Sequence, residues 1–224
     1  VLIIILLIFM LCLLLKRLVL GGQQRSMSLM SQFILLCLMG TLVAPLGLTQ
    51  SDFQQRLAAA AYELTTEQRV IYDPSYYSMT YPGGDVPADR GVCTDVVIRA
   101  YRKMGIDLQK EVHEDMRSHF SLYPKNWGLK TTDRNIDHRR VPNLRVFFSR
   151  HGTTLPLSNN ANDYLPGDIV TWNLGGGITH IGIVASQKTP DNSRPMIVHN
   201  IGAGQVVEDI LFTFEITGHY RYDK

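Results

Sequence analysis

Apolar residues recur at three- and four-residue intervals over Val96, Val97, Ala100, Tyr101 and Met104, with Cys93 at the head of the stripe. This spacing predicts an amphipathic helix opening at Cys93 and closing at Gly105. Asp95, Arg99, Arg102 and Lys103 fall on its opposite, polar face. The same period over Phe53, Leu57, Ala60, Ala61 and Leu64 predicts an earlier helix from Asp52 to Thr66, with Ser51 or Asp52 as N-cap. Leu108 to Phe120 is predicted as a third helix. Pro142, at a first-turn position, starts a fourth whose buried side is Leu144, Phe147 and Phe148.

Beyond Pro166-Gly167 the pattern turns to short apolar runs bounded by glycine. Strands are predicted over 168–173, 178–185, 195–201, 205–209 and 219–222, and a short one at Val70-Ile71-Tyr72. Helices followed by a series of hairpins indicate an α+β domain, with the cysteine helix packed on an antiparallel sheet. Tyr72 to Gly84, rich in Tyr, Pro and Gly, is predicted as an irregular loop before that helix. It reads either as a packed surface loop or as a wall of a substrate cleft, with Tyr76, Tyr77 and Tyr81 offering ring faces and hydroxyls.

The polar stretch from Asp107 to Tyr164 holds His113, His119, His138 and His151 at no metal-ligand spacing, so these are expected to be surface or capping residues. Asp137-His138-Arg139-Arg140 reads as a solvated charged face, or as a grip for an anionic substrate.

Charge changes the picture only at the N-terminus. The 224 residues carry 22 Lys and Arg against 20 Asp and Glu. Lys16, Arg17 and Arg25 are the only charges before residue 50, so the remainder is near neutral and nothing asks for a nucleic-acid partner. Val1 to Leu15 and Phe33 to Leu48 are apolar runs; the second has the length of a signal-peptide core and ends among Ala44, Gly47 and Thr49. Residues 1–49 are therefore expected to be a leader, starting at an internal methionine (Met10, Met27 or Met30), or an N-terminal membrane anchor. Both predict export, to the periplasm or envelope of a bacterium, and a mature domain over 50–224.

Of the three cysteines, Cys12 and Cys37 lie in the leader, and an exported domain with Cys93 alone cannot use it for an internal disulfide. A thiol in the first turn of a helix is expected to feel the positive helix end and shift toward thiolate. His180 and His199 fall on consecutive predicted strands. A cysteine hydrolase needs a thiolate, an imidazole to carry protons and a polar group to orient that imidazole. These three residues can supply them from rigid elements.

At these positions the chain resembles the NlpC/P60 superfamily of papain-like cysteine hydrolases. The matching pieces are the helix from Cys93 to Gly105, the strand Gly167-Asp168-Ile169-Val170, the strand His180-Ile181-Gly182-Ile183, and Ile197-Val198-His199. More closely, residues 72–222 resemble the DUF1287 family of exported bacterial proteins. That resemblance rests on Gly84-Asp85-Val86-Pro87-Ala88-Asp89-Arg90-Gly91-Val92-Cys93-Thr94-Asp95, Asn135-Ile136-Asp137-His138-Arg139-Arg140 and Val198-His199-Asn200-Ile201-Gly202.

The wider resemblance implies Cys93 as nucleophile, His180 as general base and acid, and His199 as the orienting residue, with Asn200 the alternative. It implies cleavage of an amide bond, with peptidoglycan stem peptides as the expected substrate, without metal or cofactor. Tyr76, Tyr81, Asp89 and Arg90 are the candidate substrate contacts. The usual Asp-Cys-Ser-Gly around the nucleophile is replaced by Val92-Cys93-Thr94-Asp95. A non-catalytic cell-wall or peptide-binding module, and an acyltransferase or lipid-ester hydrolase, are the rival expectations.

Overall fold

A computed structural model describes residues 51–224, so the expected leader or anchor over 1–49 lies outside the described residues. The chain opens on α1 (Asp52–Glu67), whose N-cap Ser51 accepts a hydrogen bond from the Gln54 amide at 3.4 Å. Two short strands, β1 (Ile71–Tyr72) and β2 (Arg90–Gly91), pair in parallel and lead into α2 (Cys93–Lys103). α2 stops as expected, with Gly105 in the left-handed region at φ 80°. Next come α3 (Leu108–Ser118) and α4 (Val141–His151), which carries Pro142 in its first turn. No helix among the described residues is long and apolar enough to cross a membrane.

Six strands make the main sheet: β3 (Thr153–Thr154), β4 (Ile169–Asn173), β5 (Thr179–Lys188), β6 (Pro195–His199), β7 (Val206–Glu208) and β8 (Glu215–Arg221). They lie in the order β3-β8-β4-β5-β6-β7, with every pairing antiparallel. The α+β class with an antiparallel sheet is thus as expected. β3 has only two residues and takes its identity from pairing with Arg221 and Tyr220, so no periodicity announces it.

Side chains alternate across each strand and give the sheet two faces. Ile169, Ile181, Ile183 and Val198 join Leu57, Val96, Val97, Tyr101, Leu144 and Phe148 in the main core beneath the helices. Val170, Trp172, Val184 and Ile197 point the other way, into a smaller core with Tyr164 and Leu211. Gly167 lies close under α1: a Cβ there would stand 2.2 Å from the Gln54 carbonyl oxygen, and its φ is 86°. Only glycine fits that approach.

The polar face expected for α2 is not solvated. Every residue from Cys93 to Tyr101 is buried, Asp95 and Arg99 included. Arg99 reaches Asp85 at 3.0 Å and the Arg90 carbonyl at 2.9 Å. Asp95 is held by Arg139 at 2.9 Å. A buried charge is tolerable when paired and hydrogen-bonded, and these pairs let a polar face enter the interior. The 137–140 cluster, expected as a solvated face, is corrected too, with Arg139 the member paired to a buried carboxylate. Asp137, His138 and Arg139 form a buried 3-10 turn.

Candidate active site

Cys93 is the first residue of α2. The Val92 amide ahead of it donates to the Asp95 carboxylate at 2.7 Å, which fixes how the chain enters the helix. The thiol lies against the backbone N–H groups of Ile181, Thr94 and Cys93 itself, all of which favour the thiolate. Burial outweighs them and, with the Asp95 charge adding to it, the thiol is pushed up to about 12. The expected shift toward thiolate is therefore corrected: desolvation of the charge exceeds what the helix end supplies.

The Ile181 contact locates the thiol within the sheet. Along β5 the amides point alternately to the two neighbouring strands, and Val184 donates toward β4, to the Asp168 carbonyl at 2.9 Å. Ile181, three residues earlier, consequently points toward β6. The β5–β6 register runs from Ile183 opposite Val198 and Val184 opposite Ile197, and β6 ends at His199. Cys93 thus sits beside the strand where β6 leaves it, on the amide of the residue that follows His180.

The two imidazoles rise from the face that carries Trp172. His180 pairs in register with Trp172, and their rings are 5.8 Å apart. His180 Nε2 lies 3.1 Å from His199 Nδ1, with the rings edge to face. His199 Nε2 lies 3.1 Å from a carboxylate oxygen of Glu208 on β7, at an angle outside the hydrogen-bond range. Burial pushes His180 down to about 3, with the charge of His199 adding to it. Burial also lowers His199, against the opposing pull of Glu208.

Gly182 makes this pairing possible. A Cβ there would meet Ile197 Cγ2 at 2.6 Å, the Val198 carbonyl at 2.9 Å and His199 Cβ at 3.2 Å. Asn200 turns away from His180: its amide donates to the Gly91 carbonyl at 3.1 Å, beside the mouth of α2. The structure therefore brings His180 and His199 into contact on the Trp172 face and sets the Cys93 thiol on the Ile181 amide, in the core beneath the helices. Among the described residues, no hydrogen bond joins the thiol to either ring.

The other candidates lie along the loop before α2. Tyr76 is exposed; its hydroxyl donates to Asp133 at 3.1 Å and accepts from Asn135 at 2.7 Å. Tyr81 meets the His113 ring edge-on at 5.2 Å. Asp89 is exposed, and Arg90 is tied to Asp73 at 2.9 Å. Tyr76 and Tyr81 thus brace the loop against neighbouring segments, and the hydrogen bonds and ion pairs of the four run to residues other than Cys93, His180 and His199. His119 and His151 meet Asp115 at 2.9 and 3.1 Å, whereas His138, expected at the surface, is buried.

Glu208 is the residue that sequence reasoning missed. Nothing in its neighbourhood, Val206-Val207-Glu208-Asp209, marks it, because its partner is set by strand pairing. Among the described residues no group of three His, Cys, Asp or Glu is arranged for a metal. A cavity of about 440 Å³ beside Gln68 and Arg102, and one of about 490 Å³ beside Leu157 and Phe212, are lined by none of these residues.

Comparison with known proteins agrees with these motifs. Residues 58–222 match the family described as "Domain of unknown function (DUF1287)". The chain is also 57% identical over 153 residues to a protein of Escherichia coli (strain K12) described as "Uncharacterized protein YijF". That alignment covers 68% of this chain and 74% of the relative. With the family matched over most of its length, the chain belongs to the DUF1287 family.

Proposed function

We propose that this protein is an exported cysteine hydrolase with a papain-like, NlpC/P60-type domain, cleaving an amide bond in peptidoglycan stem peptides. The observation that carries the reading is the placement of a helix-mouth thiol on the amide of Ile181, directly after His180, while His180 is bonded to His199 at 3.1 Å. In the proposed reaction the Cys93 proton passes to His180 as the sulfur bonds to the scissile carbonyl carbon. The Cys93 amide, at the start of α2, faces the oxyanion. Collapse of the tetrahedral intermediate breaks the C–N bond, and the imidazolium protonates the leaving amine. Water, deprotonated by His180, then cleaves the thioester and restores the thiol. Residues 1–49 direct the domain to the periplasm or envelope, as leader or as anchor.

The buried, neutral thiol with no bond to either ring favours one second reading, a non-catalytic module that binds cell-wall peptide on the same fold. One experiment separates the two. The full chain is incubated with purified peptidoglycan, and soluble products are identified by mass spectrometry. The hydrolase reading expects fragments carrying a new amino and a new carboxyl terminus, lost in Cys93→Ala and His180→Ala. Sedimentation of the protein with peptidoglycan and no release, or equal release by Cys93→Ala, would overturn it.

A further inference from the structure

Glu208 stands at the end of a one-way line of nitrogens. Its carboxylate oxygen is 3.1 Å from His199 Nε2, and His199 Nδ1 is 3.1 Å from His180 Nε2. His199 is fully buried, and Glu208 and His180 are the ionisable groups that face it, from β7 and β5. An ionised carboxylate can only accept a hydrogen bond. The angle is outside the hydrogen-bond range, but with Glu208 ionised a bare Nε2 would set its lone pair against the carboxylate charge at 3.1 Å. The hydrogen of neutral His199 therefore belongs on Nε2, and its Nδ1 is left as an acceptor. The 3.1 Å contact then requires the hydrogen of His180 to be on Nε2, pointing at His199. His180 Nδ1 is left with a free lone pair.

Without the carboxylate, the opposite arrangement closes the same contact equally well. His199 Nδ1–H would donate to His180 Nε2, and His180 would then carry its hydrogen on Nδ1. In that state it has no lone pair to offer on the side away from His199. We infer that Glu208 is a positioning residue, which sets the tautomers of His199 and, through it, of His180 so that His180 Nδ1 is a base. The catalytic meaning of this arrangement rests on the hydrolase reading: Nδ1 is then the atom that takes the Cys93 proton. The resulting imidazolium is next in line to a carboxylate.

Imidazole ¹⁵N resonances distinguish a protonated ring nitrogen from a bare one, and they need no substrate. The full chain is labelled at histidine and compared with Glu208→Gln and Glu208→Ala near neutral pH. Both His180 and His199 should show the Nε2–H tautomer in the unsubstituted chain. In the two variants both rings should lose that single-tautomer pattern. Glu208 has a half-exposed side chain, so its replacement leaves the core intact, and circular dichroism checks that it does.

A hydrogen on His180 Nδ1 in the unsubstituted chain would overturn the inference, even if neither variant folds. So would an unchanged pattern in both folded variants. The stated tautomers without peptidoglycan cleavage would remove only the hydrolase reading. Cleavage with the opposite tautomers would remove only this inference.

Discussion

Arg139 grips Asp95 with two prongs, Nε to Oδ1 at 2.9 Å and Nη2 to Oδ2 at 3.0 Å, both side chains being 2% exposed. The same guanidinium donates to the Ser75 carbonyl at 2.9 Å. One side chain thus joins the first turn of α2 to the tyrosine-rich loop. Arg139→Met leaves the Asp95 charge buried without its counter-charge, the Val92 amide alone remaining, which costs about 3–5 kcal/mol. Lysine restores the charge but not the fork, and rescues only part. Urea unfolding measures it. A loss below about 1 kcal/mol, the scale of an exposed pair, would show that the pair is not desolvated.

Cys93 should react slowly in the resting protein. Burial holds its thiol up to about 12, so the rate of iodoacetamide modification should still be rising at the highest pH the fold survives. The urea-unfolded chain should behave as a free thiol, half-titrated near about pH 8.5. A plateau for the folded chain below about pH 8 would mean that the thiol is already shared with an imidazole.

Gly182→Ala places a methyl group between Ile197, Val198 and His199. The Val198 carbonyl is backbone and cannot turn aside, so β5 and β6 must separate. We expect a loss of about 1–3 kcal/mol, typical of an added methylene in a filled core. The His180–His199 contact should weaken with it, visible in the imidazole ¹⁵N pattern. Unchanged stability would show that this end of the ladder yields freely.

Acid should destabilise the protein through its buried histidines. Burial lowers His138 from 6.5 to about 3. Below pH 6.5 the unfolded chain takes up a proton that the folded chain refuses, so stability falls as pH falls, by about 1.4 kcal/mol per pH unit at most for each such group. His180, lowered to about 3, acts in the same direction. Asp137 opposes them: burial raises it from 3.8 to about 6, so between those values the folded state binds the extra proton. His138→Leu should remove one proton from the balance and flatten urea-derived stability between about pH 6 and 4 by that amount per unit. An identical slope in the variant would show that His138 accepts its proton inside the fold.

Periodicity and punctuation alone were enough for the four helices, for a cap at Ser51 or Asp52, for the stop at Gly105 and for the antiparallel hairpins. Each depends on residues within a few positions of one another. Cys93, His180 and His199 were legible as residue types on named elements, and the family motifs were legible in the same way.

Tertiary structure decided what depends on distant partners. Strand register alone chose which of His199 and Asn200 meets His180, because consecutive strand residues face opposite ways. With Val184 opposite Ile197, His199 falls on the face of His180, and Asn200 turns to Gly91. Asp95 and Arg139, 44 residues apart, each read as solvated charge until the fold paired them. Glu208 gained meaning only when β7 was laid beside β6. The thiol's state depended on a balance of burial against helix-end charge, and only the packed interior sets how much water is removed.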